Sequence, residues 1–410
     1  MATPNDPKYT PLNVLFLIQN FYPINGGAEE QAKIQAEELA KLGYNITVVT
    51  GKHENHFKEE EVINGVRVLR FDYLKSPIKI KKLNGFFMII NCYNFLIKLR
   101  KSYKWDIIHV HQFWWMTIIA ALLKIKFKTP FIAKSANSGA RNEVVYFYKR
   151  FGLVGNIMKF FKVFEFVTER IDRIVCINGK MQDEFLEVGV PKEKLVYIPN
   201  SVRIPEKVVK IKQKLNTVNL LWAGRIVEQK NIVFHLETIR KVKDKGYKVK
   251  FDLYGTGDLE NVCREYIREN GLEEYIELKG SIEHSKLYDK ILNTDIYIHF
   301  TFAEGMSNAV LEMFSFGVPS VLSAVPGNTD LAGDYNPDEL NTKGYCYAQN
   351  CVLIKDLKNS DIAANTVIEL IKNYKKRLEL SKNSSKYIRS GFSPSSVMEK
   401  YIKVYNNIIR

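Results

Sequence analysis

Residues 295–322 read DIYIHFTFAEGMSNAVLEMFSFGVPSVL, which is an apolar run, a glycine-containing turn, an amphipathic stretch and a second apolar run. The two apolar runs predict buried strands at 295–299 and 318–322, and the segment between them predicts a helix. A strand, a helix and a second strand in this order predict a parallel β-α-β unit. This unit places the chain in the α/β class.

The same alternation of apolar runs and helical patterns extends over the whole chain. Strands are predicted at 13–19, 45–50, 66–71, 106–110, 130–134, 173–177 and 194–198 in the first half, and at 218–223, 248–254, 275–279, 295–299 and 318–322 in the second. Strands that alternate with helices indicate doubly wound parallel sheets.

Two domains are expected, because 410 residues exceed the size at which a single hydrophobic core stops growing. A polar, lysine-rich stretch in the middle of the chain is typical of an interdomain linker. The predicted parts are a flexible tail at 1–12, an N-terminal Rossmann-like domain at 13–204, the linker at 205–217, a C-terminal Rossmann-like domain at 218–390 and a C-terminal amphipathic helix at 391–410.

Two carboxylates, Glu304 and Glu312, stand eight positions apart around the predicted start of the helix in the opening stretch. Eight residues are slightly more than two helical turns, so both side chains are expected on one helix face. The helix mouth between them consists of Gly305, Met306, Ser307 and Asn308. Free N–H groups and the helix dipole make such a mouth an anion site.

Acids next to an anion site fit a nucleotide sugar as the ligand. Its phosphates accept hydrogen bonds from N–H groups, while its hydroxyls donate to carboxylates. The alternative is that both glutamates lie on a solvated helix face.

Two strand-to-glycine turns precede this helix. The strand at 218–223 is followed by Gly224 and Arg225, with Lys230 where a helical pattern begins. The strand at 248–254 is followed by Gly255 and Gly257. Open parallel sheets bind ligands at the carboxyl ends of their strands. The two turns are therefore expected to place the cationic side chains near a ligand and to let the glycine backbone approach the same ligand closely.

Together with Gly327-Asn328-Thr329-Asp330, these motifs resemble the retaining nucleotide-sugar glycosyltransferases of family 4, which have the GT-B fold. The resemblance covers nearly the whole chain. In the first half it includes a glycine loop, Gly26-Gly27, and a strand that ends His109-Val110-His111. Three positions depart from the family pattern: Ser201 stands in place of glycine, Arg203 in place of aspartate and Asp330 in place of glutamate.

The resemblance implies two Rossmann-like domains that face each other across a cleft, with the C-terminal helix crossing back onto the first domain. It implies a hexosyltransferase-type enzyme that takes a sugar from a nucleotide diphosphate sugar with retention of configuration. UDP is the expected nucleotide. The expected donor-binding residues are Gly26, Gly27, Gly224, Gly255, Gly257, Gly305, Met306, Ser307, Asn308 and Glu312.

The expected catalytic residues are Arg225, Lys230, His111 and Glu304. Sugar transfer builds negative charge on the departing diphosphate, and fixed cations aimed at that charge stabilise the transition state most. Arg225 and Lys230 are the expected cations. By resemblance, Glu304 binds a hydroxyl of the donor sugar and His111 lies near that sugar. Whether His109 or His111 acts is open. Same-face attack, in which the leaving phosphate takes the acceptor proton, is favoured over double displacement.

No Asp-x-Asp pair, the usual divalent-metal clamp, occurs in the chain. Neither a metal nor another cofactor is therefore expected, and the nucleotide sugar is a substrate. Asn137, Ser138 and Arg141 follow the strand that ends at Lys134 and are expected to bind the acceptor.

The net charge of +15 is concentrated between Lys75 and Lys162, where 17 Lys and Arg accompany two acids. Two runs of this stretch, 85–97 and 146–164, are also aromatic and apolar. Basic residues beside aromatic rings at helical spacing favour an interfacial helix on an anionic membrane, and neither run is long enough to span one. The alternative is that the rings face the core of the first domain.

The remaining composition indicates a cytoplasmic enzyme on the inner face of the cytoplasmic membrane. Five scattered cysteines favour a reducing compartment without a zinc site, and the first eleven residues do not form a signal peptide. Nucleic acid is not an expected partner, because the chain has no zinc finger, helix-turn-helix or RNP-like signature.

The favoured function is extension of a lipid-linked or membrane-proximal saccharide acceptor in polysaccharide or glycoconjugate biosynthesis. One alternative is a soluble transferase that acts on a small sugar or sugar phosphate. The other is a nucleotide-sugar epimerase of related fold.

Overall fold

The computed structural model describes residues 11–24, 26–72, 84–137, 143–144, 147 and 153–409. The chain forms two compact units. Unit 1 consists of Met1–Ser201 and Pro394–Arg410, and unit 2 of Val202–Ser393. Each unit contains one sheet that is mainly parallel, so the predicted α/β class with two doubly wound sheets is confirmed.

The strands of unit 1 are β1 Asn13–Leu17, β2 Asn45–Lys52, β3 Glu60–Ile63, β4 Val66–Asp72, β5 Ile107–His111, β6 Phe131–Lys134, β7 Arg173–Cys176 and β8 Leu195–Tyr197. Its sheet has the order β3-β4-β2-β1-β5-β6-β7-β8, and only the β3–β4 pair is antiparallel. All residues of β5 and β6 are buried, as expected of parallel strands covered on both faces.

The helices described in unit 1 before the crossing to unit 2 are α1 Gly27–Lys41, α2 Asn84–Ser102, α3 Trp115–Phe127, α4 Leu153–Phe160, α5 Val163–Arg170 and α6 Gly179–Glu187. The apolar side of α2 faces the core, because Met88, Cys92 and Leu96 are buried. These three side chains are therefore not available to a membrane, whereas the rings of Phe87 and Phe95 on the same helix are half-buried.

The strands of unit 2 are β9 Val218–Ala223, β10 Val249–Tyr254, β11 Ile276–Gly280, β12 Ile296–His299, β13 Ser320–Ser323, β14 Tyr345–Tyr347 and β15 Val352–Ile354. Its helices are α7 Ile232–Asp244, α8 Glu260–Glu269, α9 His284–Leu292, α10 Asn308–Ser315, α11 Pro326–Ala332, α12 Pro337–Lys343, α13 Ser360–Lys372 and α14 Tyr374–Gly391. The sheet order is β11-β10-β9-β12-β13-β15-β14, with β14 antiparallel to β15.

The last helix, α15 Pro394–Ile409, belongs to unit 1. Its Val397, Tyr401 and Tyr405 are fully buried in the same core cluster as Val14 and Phe16 of β1. Burial of two tyrosines and a valine explains why this helix is held on the sheet.

All twelve predicted strands occur, whereas β3, β14 and β15 were missed. The missed strands have only three or four residues, which is too few to give a recognisable period, and they lie at or next to sheet edges. The segment predicted as a linker, 205–217, packs within unit 2. The Val209 N–H donates to the Phe316 carbonyl at 2.9 Å, and Arg377 donates to the Lys212 carbonyl at 2.8 Å. None of the described helices is both long and apolar enough to cross a bilayer.

Candidate functional site

The best-defined polar cluster of unit 2 lies where β9 and β12 end. These two strands are neighbours in the sheet, so the loops that follow them lie side by side. Lys230, in a short 3-10 turn after β9, places its Nζ 2.5 Å from Oε2 of Glu304, in the loop after β12. Both side chains are about 15% exposed (15% and 14%), so the ion pair is largely desolvated but accessible.

Gln229 attaches the turn that carries Lys230 to the loop that carries Glu304. Its side-chain amide donates to the Ala303 carbonyl at 2.8 Å, and its own carbonyl accepts from the Phe302 N–H at 3.0 Å and from the Thr301 hydroxyl at 2.9 Å. Three hydrogen bonds from one residue hold the two loops in a fixed relation. Sequence reasoning missed Gln229, because a lone glutamine carries no motif signal.

The charge of Glu304 is set by its neighbours. Burial acts to raise the pKa of this carboxyl, but Lys230 and then His299 outweigh it and lower the pKa to about 2. His299, at the end of β12, places Nε2 3.5 Å from the Glu304 carboxylate, while its Nδ1 lies 3.1 Å from the Tyr297 hydroxyl. Burial lowers the pKa of His299 itself, so the cluster at neutral pH is a carboxylate, an ammonium and a neutral imidazole.

A second imidazole, His235 on α7, supports the base of the cluster. Its Nε2 accepts from the Phe300 N–H at 2.9 Å, so the neutral ring carries its proton on Nδ1 and donates it to the Asn231 carbonyl, 3.0 Å away. Burial lowers the pKa of His235 to about 3, which keeps it in this neutral form. The residue thereby connects the start of α7, directly after Lys230, to the end of β12.

The predicted glycine turns allow close approach between loop backbones. The N–H of Gly224 donates to Tyr254, and the N–H of Ile226 donates to Thr256, each at 2.9 Å. A Cβ at Gly255, where φ is +140°, would lie 1.7 Å from the Gly224 carbonyl oxygen, and one at Gly257 would lie 2.2 Å from the Ile226 oxygen. Only glycine fits at these two positions. Arg225, between the two backbone bonds, is exposed.

The prediction that Glu304 and Glu312 share one helix face is wrong. Helix α10 begins at Asn308, because Ser307 caps it by accepting from the Val310 N–H, and Glu304 lies in the loop before it. Glu312 is on α10, 9% exposed, with Oε1 2.5 Å from Nε2 of His284. Gly327 packs closely against the loop that carries Glu304, since a Cβ there would lie 2.2 Å from the Gly305 carbonyl oxygen.

In unit 1, the predicted glycine loop leads into α1, with Gly26 as the extended N-cap and Gly27 exposed at the first position. His109 and His111 lie on one face of β5 as predicted, stacked at 4.3 Å between ring centroids. Both are buried, and Nδ1 of His109 lies 2.7 Å from the Tyr405 hydroxyl of α15. This bond occupies His109, so His111 at the strand end is the better candidate of the two.

The predicted acceptor residues have different outcomes. The Asn137 side-chain amide donates to Glu143 Oε1 at 3.1 Å, whereas Ser138 and Arg141 lie outside the described residues. Buried Glu143 also accepts from the N–H groups of Ala136 and Phe113. This carboxylate ties the loop after β5 to the loop after β6, a role that sequence reasoning missed.

Within the part of the chain that the structure describes, no three His, Cys, Asp or Glu side chains group so that they would hold a metal ion.

Of the predicted site residues, the structure brings Lys230, Glu304 and the glycine turns together in unit 2. It sets His111 and Asn137 at the carboxyl ends of the unit 1 strands.

Comparison with known proteins matches the two halves of the chain to two family models. Residues 25–204 match Glycosyltransferase Family 4, and residues 204–387 match Glycosyl transferases group 1. The phosphatidylinositol N-acetylglucosaminyltransferase GPI3 subunit of Saccharomyces cerevisiae is 21% identical over 406 residues, which are 97% of this chain and 83% of that protein.

Two solved structures share the fold at low sequence identity. Sucrose-phosphate synthase from Thermosynechococcus elongatus has a TM-score of 0.76 and 16% identity, covering 97% of this chain and 98% of the other. HepE from Anabaena, in complex with UDP and glucose, has a TM-score of 0.70 and 14% identity, covering 96% of this chain and 99% of the other.

Proposed function

Because this chain belongs to the family 4-like glycosyltransferases with the GT-B fold and acts on a nucleotide sugar, we propose that it transfers a hexose-type sugar from a UDP-sugar to a lipid-linked acceptor with retention of configuration. The observation that carries the proposal is the Lys230–Glu304 pair, a desolvated cation and carboxylate at the carboxyl edge of the unit 2 sheet.

The two members of the pair have complementary roles in this proposal. An ammonium in a desolvated site stabilises the negative charge that develops on a departing diphosphate, and it needs no reorganisation when the bond breaks. A carboxylate that stays ionised accepts hydrogen bonds from sugar hydroxyls. Arg225, exposed on the same loop as Lys230, supplies a second cation. With this charge in place, the reaction is expected to proceed without a divalent metal.

The proposed chemistry retains configuration by same-face attack. The Glu304 carboxylate is paired with Lys230. In this proposal it binds a hydroxyl of the donor sugar and does not attack the anomeric carbon. The departing phosphate oxygen then takes the acceptor proton. Product configuration by NMR and turnover in the presence of EDTA test the two parts: an inverted product, or activity lost with EDTA and restored by Mg²⁺, would contradict them.

The first experiment identifies the nucleotide of the donor. We expect UDP and one UDP-sugar to raise the thermal midpoint of the protein more than GDP, ADP or their sugars, because binding to the folded state alone stabilises it. Incubation with the UDP-sugar and no acceptor is the control for an epimerase. Appearance of a sugar isomer there, or stabilisation by GDP or ADP alone, would contradict the proposal.

Changing Glu312 to Gln is expected to weaken UDP binding about tenfold while the protein stays folded. In the proposal this buried carboxylate binds the ribose hydroxyls, far from the bond that breaks, so its loss affects binding more than the chemical step. Calorimetric titration with UDP measures the effect. Glu283, an exposed residue that pairs with Lys286, is the matched control as Glu283→Gln. Equal affinity in the Glu312 variant and the control would remove Glu312 from the donor site.

A lipid-linked acceptor is supported by the name of the yeast relative, which acts on phosphatidylinositol, and by one surface of unit 1. The surface consists of Ile157, Lys159, Phe161 and Lys162, where α4 meets α5. Ile157 is 57% exposed and Phe161 is 68% exposed, and exposed Lys159 and Lys162 stand beside them. Apolar side chains flanked by cations are suited to an anionic headgroup boundary. By contrast, Phe147 and Phe164 of the predicted interfacial run are buried.

We therefore expect the protein to float with phosphatidylglycerol vesicles at low salt, and Phe161→Ser to reduce this partitioning about tenfold or more. Removing one phenylalanine from the bilayer boundary costs roughly 1.5–3 kcal/mol. Val262→Ser, at a site 45% exposed in unit 2, is the control and should leave flotation unchanged. No flotation of the unaltered protein, or an equal loss in both variants, would contradict the surface.

A further inference from the structure

Lys134, the last residue of β6, is a buried cation without a partner. Lys134 is only 4% exposed, and its Nζ has no hydrogen-bond acceptor among the described residues. A buried ammonium is stable only when it is paired, or when it gives up its proton. Burial accordingly lowers the pKa of Lys134 to about 7.

The neighbours of Lys134 are also bases. In the parallel ladder Lys134 pairs with His111, so both side chains leave the sheet on the same face and at the carboxyl edge. His111 stacks on His109, and Nε2 of each ring has no hydrogen-bond partner among the described residues. Three nitrogen atoms that can each donate or be protonated therefore share one buried region.

No described carboxylate balances this region. Glu143, the acid nearest to Lys134 in the sequence, accepts from the N–H groups of Phe113, Ala136 and Asn137. The Tyr405 hydroxyl contacts His109 and not the other two bases. A structural network would pair these nitrogens internally, whereas a binding site leaves donors for a ligand.

We propose that Lys134 and His111 form an oxyanion subsite in unit 1 that binds a phosphate group of a reactant. Ligands of open parallel sheets bind outside the carboxyl ends of the strands, which is where both residues stand. A phosphate oxygen accepts from the ammonium and from an imidazole N–H, and its charge offsets the cost of the buried cation. Assignment of the phosphate to a reactant rests on the proposed function, but binding of phosphate itself does not.

The phosphate has two possible sources, the nucleotide and a phosphorylated acceptor. Calorimetric titration with inorganic phosphate, UDP and glycerophosphoinositol separates them. Lys134→Met, nearly the same size without the charge, is expected to weaken phosphate binding about tenfold or more. An equal loss with UDP assigns the subsite to the donor, and a loss confined to glycerophosphoinositol assigns it to the acceptor. Lys104→Met, an exposed lysine of the same unit, is the control and should change none of the three.

Folding is checked separately. Because Lys134→Met removes an unpaired buried cation, its thermal midpoint without phosphate should equal or exceed that of the unaltered protein. His111→Gln is the second variant and should also weaken phosphate binding. Unchanged affinity for all three ligands in both variants would overturn the subsite and leave Lys134 a neutral core amine. If the unaltered protein transfers no sugar but Lys134→Met still loses phosphate binding, the subsite is upheld and the proposed function is rejected.

Discussion

Replacing Lys230 with methionine is expected to lower turnover at least about a hundredfold, with little change in the amount of folded protein. One preorganised charge that acts on a developing anion has about this value. The side chain is 2.5 Å from Glu304 and its turn is attached to the Glu304 loop by Gln229, so the ammonium is held in place before the donor binds. Steady-state rates at saturating donor measure the effect.

Two controls separate charge stabilisation from loss of the ion pair. Lys241, on α7 in the same unit, forms a 2.7 Å pair with Asp361, and Lys241→Met should leave turnover unchanged. In the double variant Lys230→Met with Glu304→Gln, no unpaired carboxylate remains, so any loss that came only from exposing that carboxylate would be reversed. Turnover restored in the double variant would contradict the role of Lys230 at the diphosphate.

Replacing Gly255 with alanine is expected to lower the free energy of unfolding by at least about 3 kcal/mol and to abolish UDP binding. The new methyl carbon would stand 1.7 Å from the Gly224 carbonyl oxygen, which is backbone and has no rotamer with which to move away. The loops after β9 and β10 would have to separate, breaking the bond from the Gly224 N–H to Tyr254. Chemical denaturation and UDP titration measure the two effects.

The chain contains matched controls for the backbone angle. Gly246 and Gly271 also have positive φ, +87° and +57°, but a Cβ at either would meet nothing within 4 Å. Alanine there should cost about 1 kcal/mol from the left-handed conformation alone. If Gly255→Ala costs no more than these two, the close contact between the loops is not required for the fold.

The sequence was sufficient for the architecture because the relevant signals are local. Apolar runs of four to eight residues alternate with helical periodicity, and each of the twelve runs predicted as a strand became one. The glycine turns after β9 and β10 were found for the same reason, since Gly255 and Gly257 stand directly after an apolar run. Short edge strands such as β14 have too few residues to give a period.

Sequence reasoning failed at one local feature, the helix cap at Ser307, and where an interaction depended on distant residues. Glu304 and Glu312 were assigned to one helix from their spacing, but Ser307 starts α10 between them, and the two carboxylates have different partners. For the apolar residues of α2 the sequence left both a membrane surface and the core open, and packing on β4 and α3 buries Met88, Cys92 and Leu96. Residue spacing alone does not show whether the apolar face of a helix packs on the protein core or on a membrane.

By itself the sequence determined the fold class, twelve of the strands and the position of the glycine turns, since these follow from periods and residue types within a few residues. That only glycine fits at Gly255 and Gly257 depends on the tertiary structure, which brings them against Gly224 and Ile226. The tertiary structure alone decided which charges meet. Lys230 and Glu304 are 74 positions apart and come together because β9 and β12 are neighbours in the sheet, an order that depends on packing of the whole unit. Lys134 is isolated for the same reason: the strand beside it ends in a histidine rather than in an acid.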